Sequence, residues 1–312
     1  ILQRTHSSYT NISLYPEKWI KNSFLEMQRI FESFDGYMLI SLILGLLDEE
    51  TGVLYFINVE HPKITLFRDH KARFIEKVGR KYRKMGIQGI NSPIQISLFQ
   101  MIPGDVLIIG SDGRDDIIVD RDESGFEILN FDEELFLKSV EEGKGDLKKI
   151  YKSIKKRGEL NDDLSLLRLS YKEFEVKNKR EEDYIDKIQL EKFNSLIIIL
   201  EEQKKRKDFQ GLVKTYEELI ILKPLEKEYL LQLSRLYFRQ KLYEKSIEYA
   251  ELVKLRSPFN KKNLFRLALA NIRLRRFPKA NNYIQEILTF NPESNKVKIL
   301  EGILSDQLIK SI

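Results

Sequence analysis

The sequence of 312 residues contains no cysteine, which excludes disulfide bonds, thiolate metal sites and a cysteine nucleophile, and fits a reducing compartment. It also lacks a long apolar run. The longest one, Ile43 to Leu47 with its neighbours from Met38, is far too short to span a membrane. Residues 1–15 have no apolar core typical of a signal peptide. We therefore expect a cytoplasmic chain without a membrane segment.

The composition is that of a folded protein, with 42% hydrophobic and 11% aromatic residues in a chain long enough for two domains. Charge is unevenly distributed. Residues 201–312 contain 23 Lys and Arg against 14 Asp and Glu, whereas residues 1–200 contain 30 against 34. The C-terminal part is therefore the basic one.

The last third of the chain has an internal period of 34 residues. Pro224, Pro258 and Pro292 are spaced by this distance, and an aromatic residue recurs at the same spacing. Because two independent sets of positions share one period, the sequence predicts tandem structural repeats. Three further columns at this period are apolar: Leu196, Leu230 and Leu264; Ile199, Leu233 and Leu267; Leu219, Val253 and Ile287.

This pattern resembles the tetratricopeptide repeat, in which paired helices stack because one hairpin cannot bury its apolar face alone. Three units span residues 193–294, and Ser294 to Ile312 is predicted to be a capping helix. Small residues, Ser234 with Ala268 and Ser246 with Ala280, occupy positions where the two helices of a hairpin approach closely. The resemblance implies a concave groove that binds a protein or peptide partner.

The third repeat is strongly basic. Among its cations, Arg266, Arg273 and Arg276 are the candidate partner-binding residues, and an acidic peptide would suit them. The alternative is that these charges form a solvated helix face. Nucleic acid is a weaker option, because no aromatic interleaving or known nucleic-acid module accompanies the charge.

The first 172 residues instead show short apolar runs bounded by turn residues, which is typical of strands. Helices are predicted after Pro16, over Phe131 to Val140 with Asp132 as the N-cap, and over Leu147 to Lys155. Together these elements predict an α+β fold, a layered β-sandwich flanked by helices. The predicted strands are Met38 to Leu47, Val53 to Val59, Lys63 to Phe67, Arg73 to Val78, Ile94 to Phe99, Val106 to Ile109 and Leu164 to Leu169.

Two acidic turns lie beside apolar strands in this part. The first runs from Pro103-Gly104-Asp105 through Val106 to Ile109 to Ser111-Asp112-Gly113-Arg114-Asp115-Asp116, and the second is Asn161-Asp162-Asp163. Carboxylates held at strand ends suit Mg²⁺ or Mn²⁺, which prefer oxygen ligands. Two such ions could activate water for attack on a phosphate ester.

The ordered set of motifs resembles the SpoIIE-type branch of the metal-dependent, type 2C protein serine/threonine phosphatases over residues 10–171. It includes Leu44-Gly45-Leu46-Leu47-Asp48, the run Gly52 to Pro62, Pro103-Gly104-Asp105, Ser111-Asp112-Gly113 and Asp162-Asp163-Leu164-Ser165-Leu166-Leu167. The resemblance implies that Asp112 and Asp162 bind metal, with two Mn²⁺ or Mg²⁺ ions in a complete domain. Asp116, Asp163 and Gly113 are the possible secondary site residues, and Asp163 is expected to orient the turn by capping backbone N–H groups rather than to bind metal.

The sequence departs from this family at several points. The family's early Gly-Asp strand and its Asp-x-x-Gly-His-Gly turn are not found here, Glu60 replaces a glycine, and Arg114 stands at a usually apolar position. Either the chain is a fragment of a longer protein or the domain is degenerate and noncatalytic. The start at Ile1 rather than Met favours truncation.

We therefore expect a phosphatase-like domain over residues 1–172, a charged linker over 173–186 and a tetratricopeptide domain over 187–312. The leading hypothesis is dephosphorylation of phosphoserine or phosphothreonine on a partner signalling protein, recruited by the repeats. The alternative is a catalytically inactive adaptor that binds protein partners through both domains.

Overall fold

A computed structural model describes residues 16–76, 82–88, 93–172, 187–293 and 295–309. The chain divides into two compact units, residues 1–92 with 99–184 and residues 185–312 with 93–98. The predicted linker over 173–186 lies outside the described residues. In the described ranges, no helix is long and apolar enough to cross a membrane.

The described strands of the first unit are β1 Leu42–Leu47, β2 Val53–Val59, β3 Thr65–Arg68, β4 Lys71–Phe74, β5 Ser97–Gln100, β6 Val106–Gly110, β7 Ile117–Arg121, β8 Glu127–Leu129, β9 Glu159–Leu160 and β10 Leu166–Ser170. They form three small sheets with the strand orders β1-β2-β5, β10-β6-β3-β4 and β8-β7-β9. Strand β10 pairs antiparallel with β6.

Strand β6 forms the centre of this unit because it is buried on both faces. Leu107 packs in one apolar cluster with Phe56 and Leu66, whereas Val106 and Ile108 pack in a second cluster. Alternate residues of a strand point to opposite faces, so β6 separates two layers of core. The layered α+β architecture predicted from the sequence is confirmed.

The described residues of this unit form three α-helices: α1 Pro16–Glu32, α2 Leu135–Gly143 and α3 Leu147–Arg157. Phe136 of α2 and Ile150 of α3 pack in the same cluster as Ile108 of β6. The prediction of Asp132 as the N-cap was wrong, because α2 begins at Leu135. Asp132 instead accepts a hydrogen bond from the Glu134 N–H at 2.9 Å, in a turn ahead of the helix.

The strand predictions for β1 to β6 and β10 find the right regions, but β7, β8 and β9 were missed. Strand β9 has two residues and β8 has three, too few to show an alternating pattern. The predicted strand over Arg73 to Val78 is described only as far as residue 76, and β4 ends at Phe74.

From Lys187 onward, the described part of the second unit consists of helices that repeat every 34 residues. Its helices are α4 Lys187–Arg206, α5 Phe209–Leu222, α6 Lys227–Arg239, α7 Tyr243–Arg256, α8 Lys261–Arg273, α9 Phe277–Phe290 and α10 Asn295–Ile309. They form the predicted hairpins, and α10 corresponds to the predicted capping helix. Each repeat turns between its helices through a basic residue with positive φ: Lys207, Lys241 or Arg275.

The small residues of the repeats have the close-packing role predicted for them. Ser234 and Ser246 are both fully buried, and each hydroxyl donates to the carbonyl oxygen of the other, at 3.0 and 2.8 Å. Ala268 and Ala280 occupy the equivalent positions of the next hairpin and are also fully buried. The first repeat departs from the pattern, because Ile199 is exposed whereas Leu233 and Leu267 are buried.

Candidate metal centre

The two acidic turns meet at one edge of the sheet because β6 and β10 run antiparallel. Leu166 at the start of β10 lies opposite Gly110 at the end of β6. The residues that follow Gly110 and those that precede Leu166 are therefore brought together. They belong to the Ser111 to Asp116 turn and to the Asn161 to Asp163 turn.

Ser111 links the two turns by three hydrogen bonds. Its hydroxyl donates to the carbonyl oxygen of Asp163 and accepts from the Ser165 N–H, both at 3.0 Å. Its own N–H donates to the carbonyl oxygen of Ser165 at 3.0 Å. A further link is made by the Asn161 N–H, which donates to the Asp116 carbonyl oxygen at 3.1 Å. The sequence motifs include Ser111 and Asn161, but no local pattern predicts these links between the two turns.

Three carboxylates converge where the turns meet. Asp112, Asp116 and Asp162 each offer one oxygen, and these oxygens lie within 4.8 Å of one another. Asp112 and Asp162 are exposed and Asp116 is half-buried. The structure thus brings together both primary predicted ligands and one secondary candidate. Gly113 contributes by its lack of a side chain, since a β-carbon at this position would lie within 3.0 Å of backbone atoms of Asp162 and Asp163.

Asp163 lies outside this group of three oxygens. The expected backbone cap is instead made by Asp162, whose Oδ1 accepts from the Asp163 N–H at 2.7 Å. Asp163 contributes its carbonyl oxygen, which Ser111 binds. Asp163 therefore shapes the turn through its main chain, in contrast to the predicted side-chain role.

The donor set fits a hard divalent cation. All three side chains offer carboxylate oxygen, the ligand that Mg²⁺ and Mn²⁺ prefer. Within the described ranges, none of the three carboxylates forms an ion pair with a Lys or Arg side chain. A bound cation would compensate the negative charge of these three carboxylates. Because they provide only three ligands, the coordination shell of the cation would have room for water.

Arg114 belongs to the first acidic turn, and its side chain is buried, with only 2% of the residue exposed. Its Nε donates to Asp115 Oδ2 at 3.0 Å, and its guanidinium lies 4.4 Å from the ring centroid of Phe136. The aromatic contact and the ion pair explain how an arginine occupies a usually apolar position. Burial raises the pKa of the Asp115 carboxyl, and the Arg114 charge opposes that rise.

The Pro103-Gly104-Asp105 turn lies at the other end of β6, away from the three carboxylates. Asp105 is fully buried and accepts two hydrogen bonds from Arg68, both at 2.7 Å, and one from the Ile102 N–H at 2.9 Å. Three hydrogen-bond donors therefore already bind this carboxylate. Asp105 is therefore a structural residue, although it belongs to the predicted acidic turns.

The three candidate partner-binding arginines differ in their surroundings. Arg276 donates to both carboxylate oxygens of Glu244, at 2.8 and 2.5 Å. Arg273 is exposed at the end of α8. Arg266 is half-buried, and burial together with the neighbouring charge of Arg235 lowers its pKa to about 10. Within the described ranges, neither Arg266 nor Arg273 forms an ion pair, whereas Arg276 does.

Comparison with known families gives one match over the first unit. A family model described as Stage II sporulation protein E (SpoIIE) matches residues 2–172, which is more than half of the chain. No curated protein sequence matches the chain at a significant level.

Several solved structures of tetratricopeptide domains are similar to part of the chain. The TPR domain of Arabidopsis OM64 is 18% identical, covers 38% of this chain and 98% of its own, and has a TM-score of 0.34. The Sgt2 TPR domain from Aspergillus fumigatus is 20% identical, covers 38% and 81%, and also has a TM-score of 0.34. A complex of the TPR2B domain of yeast Sti1 with pHsp70 is 17% identical, covers 37% and 98%, and has a TM-score of 0.33.

Proposed function

The chain belongs to the SpoIIE family, with a phosphatase-like unit followed by tetratricopeptide-type helices, and from this we propose that it dephosphorylates phosphoserine or phosphothreonine on a partner protein. The reaction would depend on Mn²⁺ or Mg²⁺. The helical unit would recruit the partner. The observation that carries the proposal is the convergence of the Asp112, Asp116 and Asp162 oxygens within 4.8 Å.

In this proposal, Asp112, Asp116 and Asp162 hold the metal. When bound, the metal supplies Lewis acidity towards the phosphate ester and the attacking water. The protein contributes a fixed ligand geometry, because the Ser111 and Asn161 hydrogen bonds join the two turns before any ligand binds. Ligands that are already positioned lose little conformational freedom on binding.

The exposure of Asp112 and Asp162 leaves the site open to a substrate on a protein surface. An exposed site suits a phosphorylated side chain on a folded partner better than a deeply enclosed small molecule. The exposure of the site therefore favours a phosphorylated protein over a small phosphate ester as the substrate.

Metal titration tests this proposal against the adaptor alternative. Isothermal calorimetry with MnCl₂ should give binding to the wild-type chain that is lost or weakened at least tenfold in Asp112→Asn and Asp162→Asn, since each removes one charged ligand. Asp120→Asn is the matched control, because Asp120 is exposed on β7 and its acceptor oxygen is retained. Absence of Mn²⁺ binding to the wild type would favour a noncatalytic adaptor.

For partner recruitment, we propose that Arg266 contacts an acidic group of the partner. Its Nη1 makes only long contacts, 3.4 Å to the Leu231 carbonyl oxygen and 3.3 Å to the Ser234 hydroxyl. A guanidinium has five N–H donors, so Arg266 retains donors for a carboxylate or phosphate. Arg273 is the second candidate, and Arg276 is the weakest because Glu244 already binds it.

A labelled hexaglutamate peptide can probe this recruitment site by fluorescence anisotropy. We expect Arg266→Gln to weaken binding roughly tenfold, because a charge-assisted hydrogen bond is lost. Arg276→Gln should change the affinity by less than about twofold, since that charge is already compensated. Equal effects of the two variants would contradict a specific role for Arg266.

A further inference from the structure

The segment 117–134, here called the flap, exposes a set of large apolar side chains next to the candidate metal centre. It begins one residue after Asp116 and comprises β7, β8 and the residues up to Glu134. Phe131 is 91% exposed and Phe126 is 73% exposed, and Val119 and Ile128 are also exposed. Several apolar groups exposed together in one short segment are typical of an interaction surface.

Phe126 is held at the tip of the flap by a defined turn. Asp122 Oδ1 accepts hydrogen bonds from the N–H groups of Ser124 and Phe126, at 2.9 and 2.8 Å. The Asp122 N–H in turn donates to the Phe126 carbonyl oxygen at 2.9 Å. The backbone that carries this exposed ring is therefore fixed in advance.

Phe131 is held beside the turn that carries the candidate metal ligands. The preceding residue, Asn130, donates its side-chain amide to the Asp115 carbonyl oxygen at 3.1 Å and its N–H to the Ile117 carbonyl oxygen at 2.8 Å. These two acceptors flank Asp116. The exposed Phe131 therefore follows directly on a residue that is hydrogen-bonded to the backbone of the metal-binding turn.

The flap is also acidic, with seven Asp and Glu residues against one basic residue, Arg121. Lysines outside the flap pair with Glu133 and Asp132, whereas four carboxylates form no ion pair within the described ranges: Asp120, Asp122, Glu123 and Glu134. Arg121 donates to Glu127 at 3.3 Å and to Glu159 at 3.1 Å, so its charge is already compensated. A ligand for this surface must therefore combine positive charge with apolar side chains.

We propose that the flap is a docking surface for a basic segment of the phosphorylated partner, with Phe126 and Phe131 receiving its apolar side chains. This inference rests on the proposed function, because the partner's phosphorylated residue would reach the adjacent carboxylates while the flap binds its flanking residues. Two observations favour a basic segment as the ligand. The flap is acidic, and the hydrogen bonds of Asn130 hold Phe131 beside the metal-binding turn.

The test uses the full chain and a synthetic fluorescein-labelled phosphoserine peptide with alternating arginine and leucine flanks. Anisotropy should show that Phe131→Ser and Phe126→Ser each weaken binding roughly fivefold to tenfold, as expected for a central aromatic contact. Ile221→Ser, which changes an equally exposed apolar residue of the helical unit, should leave binding unchanged. A peptide with glutamate flanks should bind at least tenfold more weakly.

The same measurement separates this inference from the proposed phosphatase function. Binding of the peptide without added metal should persist in Asp112→Asn, because docking uses the flanks. If Phe131→Ser and Phe126→Ser both bind within twofold of the wild type, the docking surface is refuted. Sedimentation that shows self-association abolished by Phe131→Ser would also overturn it, since the flap would then bind a second copy of the chain.

Discussion

A β-carbon added to Gly113 would lie 2.5 Å from the carbonyl oxygen of Asp163, closer than real side chains approach. The backbone of the first acidic turn thus touches that of the second with no space for a methyl group. This contact, together with the Ser111 hydrogen bonds, sets the separation of the two turns and therefore that of their carboxylates.

Gly113→Ala is accordingly expected to push the turns apart. Overpacking against backbone atoms should cost about 1–3 kcal/mol in the free energy of unfolding and weaken Mn²⁺ binding at least tenfold. Urea unfolding and calorimetry measure the two effects. Gly302→Ala is the control, because no atom lies within 4 Å of its added carbon and a helical Ala gains up to about 1 kcal/mol. Unchanged Mn²⁺ affinity in Gly113→Ala would contradict this account.

Asp105→Asn should destabilise the first unit without changing its metal affinity. The substitution removes the carboxylate charge that pairs with the largely buried Arg68 guanidinium, and loss of one member of a buried ion pair typically costs about 3–5 kcal/mol. Urea unfolding measures this loss. In the double variant Arg68→Met with Asp105→Asn, the loss should be smaller than the sum of the single losses. A metal-binding defect in folded Asp105→Asn would show that Asp105 acts in the site after all.

Lys241→Gly should stabilise the helical unit. Lys241 has a φ of 63°, a left-handed conformation that costs a residue with a β-carbon about 1 kcal/mol relative to glycine. The expected gain is about 0.5–1 kcal/mol, measured by thermal or urea unfolding. Lys214→Gly, in the middle of α5, is the matched control and should lose about 1 kcal/mol. The equivalent Lys207→Gly and Arg275→Gly should behave as Lys241→Gly does.

Glu76→Gln should change how stability depends on pH. Burial raises the pKa of the Glu76 carboxyl, although hydrogen bonds from Asn58 and the Ile64 N–H partly oppose the rise. A carboxyl group whose pKa is higher in the folded state than in the unfolded state stabilises the folded protein at low pH. This stabilisation is lost as the pH rises through the pKa of the folded state. Glutamine keeps the acceptor oxygen without the charge. The variant should therefore gain stability relative to the wild type between pH 4 and about pH 7.

Paired urea unfolding curves at these two pH values check this expectation. The difference in unfolding free energy between Glu76→Gln and the wild type should grow with pH. A difference that stays constant would show that Glu76 does not titrate differently in the folded and unfolded states.

Sequence patterns were sufficient for much of the fold. The 34-residue period located the helical hairpins, because a repeated apolar pattern is a local property of the chain. Within those hairpins, Ser234 and Ser246 were predicted to lie at close helix contacts, and they do. The short strands β8 and β9 were missed, because they are formed by pairing with β7 and have little pattern of their own.

The sequence by itself determined which carboxylates stand in turns beside apolar strands, and which residues repeat. In local sequence, Asp105, Asp112 and Asp162 are similar, because each lies in a turn next to an apolar strand. The family resemblance favoured Asp112 and Asp162 over Asp105, but only the tertiary structure shows how they differ: the antiparallel pairing of β6 with β10 brings Asp112 and Asp162 together and leaves Asp105 at the far end of β6. The physical reason is that convergence of side chains depends on strand pairing between distant segments, which no local pattern records.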